Sequence, residues 1–134
     1  MTSETIDTAS YLAAFRSELQ GAGRGRRFSA LLNQRTLFPH RGRATLTPHY
    51  LTLSEWNSQG PLQILPEAVL RVTRQFDSQY GAFVGGASSK WGAPVIVDLD
   101  DERSIYFLFD HRPFLEKTKN PHWEDLLLTW LAKR

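Results

Sequence analysis

Cysteine is absent from the 134 residues of this chain. That excludes thiol nucleophiles, cysteine-based zinc sites and disulfides, and it fits a reducing compartment, so the cytoplasm is the expected location. A run of about 18 apolar residues is also missing, and the opening MTSETIDTAS is polar and acidic where a secretory leader is basic and then apolar. Neither a membrane span nor a leader is expected. The four histidines, His40, His49, His111 and His122, have no i, i+4 metal spacing and no H-E-x-x-H frame, so no metal is expected. No G-x-S-x-G nucleophile motif occurs either. The chemistry-bearing motifs of common enzymes are lacking, and the sequence predicts a non-enzymatic protein without cofactors.

What is present is a single domain's worth of chain, long enough to bury a core unaided. The net charge of +2 hides an asymmetry. Residues 1–74 carry nine Lys/Arg against five Asp/Glu, and residues 75–134 carry seven against nine. Seven arginines (Arg16, Arg24, Arg26, Arg27, Arg35, Arg41 and Arg43) face only Glu18 across 28 residues. The planar guanidinium matches phosphate and carboxylate, which makes an anionic lipid or ligand one expected partner, with Arg24, Arg26, Arg27, Arg41 and Arg43 as the binding residues. The other reading of the same arginines is a solvated linker and solvated strand faces.

Residues 6 to 19 place Ile6, Tyr11, Leu12, Phe15 and Leu19 on one helical face, and a helix is expected there. Its apolar residues Tyr11, Leu12, Phe15 and Leu19 are the expected protein-docking set, buried either on the chain's own body or on a partner. The glycine- and arginine-rich stretch 21–27 reads as a linker, dividing the chain into an N-terminal helix with linker (1–27) and a main domain (28–134). Residues 28 to 38 fit helix and strand equally.

From Arg43 the pattern is β. Ala44 and Leu46 alternate with threonines, Pro48-His49 interrupts, and Leu51 and Leu53 alternate again. Residues 57–61 form a second turn, 62–65 a short strand and 69–76 a longer one. In that strand Leu70, Val72 and Phe76 share a face, and Arg74 falls on it where an apolar residue is due; a bulge, an edge position or a functional arginine would each account for that. Val95, Val97 and Leu99, then Ile105, Phe107 and Phe109, predict a hairpin joined by Asp100–Arg103. Between these lies the glycine-rich loop 81–92. Its residues 85–90, ending in Lys90, offer bare amides, two hydroxyls and an ammonium, a set able to cradle an anion.

The chain ends in a predicted amphipathic helix. Asn120 is the expected cap, Pro121 suits the first helical position, and Trp123, Leu126, Leu127, Trp130 and Leu131 form one apolar face. Trp123 and Trp130 are expected to plug one end of the body, which would place any ligand at the opposite rim or in the arginine-rich half. Asp110-His111 has the residue types of a base and its orienter, but strand neighbours point to opposite faces. A pocket joining Arg74, Asp110 and His111 would be the enzymatic or small-molecule alternative. Nucleic acid is disfavoured, because the aromatic and basic strand signature of an RNA-reading sheet and helix-turn-helix spacing are both missing.

From Arg41 onward the chain resembles bacterial pleckstrin-homology-like (PH-like) and GRAM-type domains. The segment 42–54 is similar to that family's opening hairpin, 62–72 to the succeeding strand and turn, and 95–109 to the last hairpin, followed by a helix bearing Trp123. The resemblance implies a mainly β (α+β) fold, a bent antiparallel barrel of about seven strands closed by a C-terminal helix, here with an additional N-terminal helix. It implies binding of proteins, peptides or lipid headgroups without an invariant catalytic residue. The leading expectation is a binding or scaffold domain acting through protein contacts or self-association as a homo-oligomer.

Overall fold

The computed structural model describes residues 5–20, 38–75, 93–110 and 118–134. Its elements are β1 (Asp7–Phe15), α1 (Arg16–Gln20), β2 (His40–Leu46), β3 (Leu51–Asn57), β4 (Gly60–Ile64), a 3-10 turn (Pro66–Ala68), β5 (Val69–Arg74), β6 (Val95–Leu99), β7 (Ser104–Phe109) and α2 (Asn120–Ala132). The seven strands form one antiparallel sheet in the order β4-β3-β2-β1-β7-β6-β5, curled into a half-barrel whose hollow is filled by the core, with α2 packed chiefly along β5.

The mainly β fold with a C-terminal helix agrees with the sequence; the N-terminal helix does not. Asp7–Phe15 is the central strand, paired with β2 on one side and β7 on the other, and only the five residues Arg16–Gln20 are helical. The apolar residues of this segment satisfy both periods. Tyr11 and Phe15 are one helical turn apart, yet Ala9, Tyr11, Ala13 and Phe15 also alternate at the strand period, and two neighbouring ladders decide for the strand. The division expected at 27/28 falls outside the described residues.

The inner face of the sheet is continuous. Ala9, Tyr11 and Ala13 from β1 join Ala44 and Leu46, Leu51 and Leu53, Val95, Val97 and Leu99, and Ile105, Phe107 and Phe109, all buried in one cluster with Trp123, Leu127 and Trp130. Every residue of β7 is buried, Tyr106 and Leu108 on the outer face included, so this strand has no solvated side. That is why its sequence, SIYFLF, reads as a nearly unbroken apolar run rather than a clean alternation.

Two irregularities shape the ends. In β3 the register shifts between Leu53 and Asn57, and Glu55 sits at φ 55°. Gly42 lies directly beneath this bulge, where a Cβ would collide with the Ser54 carbonyl. In β5 a second shift between Val69 and Arg71 turns Leu70 outward, 64% exposed, instead of onto the Val72 face. Arg74 does keep to the Val72 face, opposite Val95, on a strand that is both bulged and at the sheet edge. Its Nε donates to Glu124 Oε1 of α2 at 3.1 Å. Phe76 lies outside the described residues.

The terminal helix is anchored differently from a simple cap. The residue preceding its first turn is Lys119, with no side-chain cap, and Asn120 is the first helical residue. Asn120 is fully buried and turns its amide into the sheet: Oδ1 accepts from the Phe109 N–H at 2.7 Å, and Nδ2 donates to the Ala93 carbonyl at 2.8 Å and the Phe107 carbonyl at 3.4 Å. A polar side chain at this depth is satisfied on every side, which is the condition for its burial.

Candidate binding groove

Three further contacts fix α2 along the open side of the half-barrel. Trp130 Nε1 donates to the Thr47 carbonyl at 2.9 Å, tying the helix to the β2–β3 turn. Arg134 Nη1 donates to the Pro66 and Val69 carbonyls, tying the C-terminal end to the 3-10 turn before β5. His122 Nε2 meets Asp7 Oδ2 at 2.8 Å, tying the first turn to the start of β1. The hydrogen bond from His122 holds the Asp7 carboxyl below its ordinary value, against the opposing effect of partial burial.

Between these anchors lies a groove of about 770 Å³. Its helical wall is one face of α2, with His122, Asp125, Leu126, Thr129, Trp130 and Lys133 spaced at i, i+3, i+4, i+7, i+8 and i+11. The opposite wall is Ile6, Pro48, Pro66 and Glu67. Most of its surface is apolar, and Ile6 is 46% exposed while lining it. Polar groups stand at both ends, His122 with the Asp125 carboxylate at one and Lys133 with Arg134 at the other. The sequence placed any site away from Trp130; the groove instead runs beside it, because burying the indole ring leaves the neighbouring helix positions 122, 125, 129 and 133 facing the cleft.

Two smaller clefts, of about 440 and 180 Å³, share Glu102, Arg103 and Ser104 at the β6–β7 turn. Two of the arginines that line them are paired within the chain. Arg71 bonds Asp98 at 2.8 Å and Arg103 bonds Asp101 at 2.7 Å. Burial works to raise the Asp98 carboxyl, but hydrogen bonds from the Ser104 hydroxyl (2.6 Å) and Arg71 outweigh it and leave it below its ordinary value.

Of the residues singled out from sequence, Arg41 and Arg43 stand exposed on the outer face of β2, and Arg43 Nη1 donates to Thr8 Oγ1 at 2.9 Å. Arg24, Arg26, Arg27 and Lys90 lie outside the described residues. Tyr11 and Leu12 are buried within the sheet, on opposite faces, so the chain's own strands take up the expected docking residues. The Tyr11 hydroxyl donates to the Ser54 carbonyl at 2.7 Å, and burial pushes its pKa up to about 12. Phe15 is half-buried and meets Trp56 edge-on at 5.4 Å, while the Leu19 side chain is outside the described set. Arg74 goes to Glu124 and Asp110 to Ser10 (2.9 Å) and Lys119 (3.6 Å), with His111 outside the described residues. Of the groove's lining, Ile6, Leu126 and Trp130 stand out in the sequence only as apolar helix-face residues, and the polar stripe His122, Asp125, Thr129 and Lys133 beside them is the signal that marks the groove.

Among the described residues no three metal-ligating side chains converge, and no helix is long and apolar enough to cross a membrane. Comparison with known proteins gives no match to a family model or to a curated relative.

Proposed function

We propose that this chain is a non-enzymatic binding domain of PH-like architecture that works through protein contacts at the groove beside α2. The occupant is a segment of a partner protein or of a second copy. The observation that carries this reading is the groove itself, with Ile6, Pro48, Pro66, Leu126 and Trp130 as apolar lining and Glu67, His122, Asp125 and Lys133 as a polar rim. Apolar floors with polar rims are the anatomy of protein-docking sites. Seven antiparallel strands and a C-terminal helix along the open side support the PH-like part. Folds of that kind leave the ligand to the site, so the groove carries the functional argument.

Thr129 is the residue to change, since it is exposed and lines the groove. Peptides selected from a random displayed library should shift the Trp130 indole N–H resonance of the wild type and fail to bind Thr129→Arg. Size-exclusion with light scattering covers self-association, which the same substitution should abolish. A chain that stays monomeric and selects only peptides indifferent to Thr129→Arg would overturn the reading.

A second reading, an anionic lipid or ligand surface, is favoured by Arg41 and Arg43 standing on the same exposed strand face. It predicts sedimentation with anionic vesicles at low salt and release as salt rises. Equal binding to neutral vesicles discards it.

A further inference from the structure

His40 opens β2 on the inner face, opposite Ala13, at the sheet end where α1 begins. Its ring lies flat on Trp56, with centroids 3.9 Å apart and planes 4° from parallel, and Phe15 meets it edge-on at 6.0 Å. Nδ1 is 2.6 Å from the Trp56 carbonyl oxygen. Nε2 is 2.9 and 3.0 Å from the two carboxylate oxygens of Glu18 on α1. Glu18 Oε1 also accepts the Phe15 N–H at 2.8 Å. The imidazole is only 12% exposed, so water has little room to replace either partner.

Both ring nitrogens therefore face acceptors. A carbonyl and an ionised carboxylate can only accept, and a neutral imidazole carries a single N–H; the imidazolium alone can donate to both. We propose that Glu18, His40 and Trp56 form a proton-operated clasp that holds α1 against the half-barrel, closed while His40 is imidazolium and released when Nε2 loses its proton. The release falls on the Glu18 side. The Nδ1–H to Trp56 bond is kept by the stacked rings, whereas an unprotonated Nε2 turns a lone pair toward the carboxylate. With five residues, α1 has few bonds of its own to hold it there.

Among the described residues, the other charged groups at this end include Arg16 on α1, whose Nε donates to the Tyr106 hydroxyl at 3.1 Å, Arg41 next along β2, Glu55 beside Trp56 on β3, and at the β6–β7 turn Glu102 and Arg103, the latter's guanidinium lying over the Phe15 ring at 5.1 Å. The Tyr11 phenol sits on the Ser54 carbonyl and ionises only at about 12. Arginines stay cationic throughout, and an imidazole is the group whose charge ordinarily changes between about pH 5 and 8.

Nitrogen resonances of the His40 ring and amide exchange at Phe15, corrected for the intrinsic rate, test the clasp from about pH 5 to about pH 9. At the low end both ring nitrogens should carry protons and the Phe15 amide should be protected. As the Nε2 proton leaves, that protection should fall in step. Glu18→Gln supplies an amide N–H that can donate to neutral Nε2, so its Phe15 protection should lose the pH step. His40→Gln should lose the step as well, and if that variant does not fold, Glu18→Gln suffices. Protection in the wild type without any step, or a step unchanged in Glu18→Gln, overturns the proposal.

Discussion

Trp123 of α2 lies face to face with Phe109, the last residue of β7, with ring centroids 4.6 Å apart and planes 10° from parallel. Phe109 in turn stacks on Phe107 at 5.0 Å, so the helix enters the core as the third ring of a stack that begins in the sheet. The backbone repeats the same connection one step away, through the Phe109 N–H and the Asn120 carboxamide.

Trp123→Ala should therefore cost about 3–5 kcal/mol of folding stability, the range for removing a fully buried aromatic. Urea denaturation followed by circular dichroism measures it. A negligible loss would mean that the helix is not part of the core.

Asn120→Leu should be costly despite its apolar replacement, because the Phe109 N–H then loses its acceptor and the Ala93 carbonyl a donor. The penalty expected for stranding such groups is about 1–3 kcal/mol each. Asn120→Asp should fare no better. It keeps the acceptor for Phe109 but sets a carboxylate against the Ala93 and Phe107 carbonyls. The same denaturation experiment ranks the two.

The parts legible in sequence were those where a local period and the tertiary environment agree. Val95–Leu99 and Ile105–Phe109 alternate in sequence and pair in the sheet as expected, and α2 has its cap-region proline and apolar stripe. Residues 7–15 are ambiguous in sequence because alanines and well-spaced aromatics fit both periods, and the choice is made by β2 and β7, which come later in the chain. The outward turn of Leu70 is not legible in sequence, because the bulge between Val69 and Arg71 takes it off the Val72 face and nothing in its side chain announces one. The groove was invisible for a related reason: its far wall comes from Ile6, Pro48 and Pro66, brought to the helix only by the closure of the sheet.

Asp7 gives a pH dependence whose sign follows from its lowered pKa. A carboxyl that is more acidic in the folded state than its ordinary 3.8 stabilises the fold above that value, and the contribution is lost as pH falls through the folded pKa. The melting temperature of the wild type should therefore drop more steeply on acidification below about pH 4 than that of Asp7→Asn. Asp98→Asn should show the same flattening, since Asp98 is lowered too. Parallel acid profiles for wild type and both variants would mean that neither carboxyl is held by its partners.

At the alkaline end the sign reverses for Tyr11. Burial favours its neutral phenol, whose hydroxyl is bonded to the Ser54 carbonyl, so ionisation moves from the ordinary 10 in the unfolded chain to about 12 in the fold. A raised pKa gives stability that is complete below the unfolded value and is lost as pH rises through the folded one. The chain should thus lose stability progressively from pH 10 to about 12. Tyr11→Phe leaves the Ser54 carbonyl without that donor and should cost about 1 kcal/mol at neutral pH, yet it should lack Tyr11's share of the alkaline loss. Denaturation at neutral and alkaline pH, with tyrosinate absorbance recorded alongside, separates the two effects. Tyr11 ionising at the ordinary 10, and an unchanged alkaline slope in Tyr11→Phe, would place the phenol in water instead of beneath the β3 bulge.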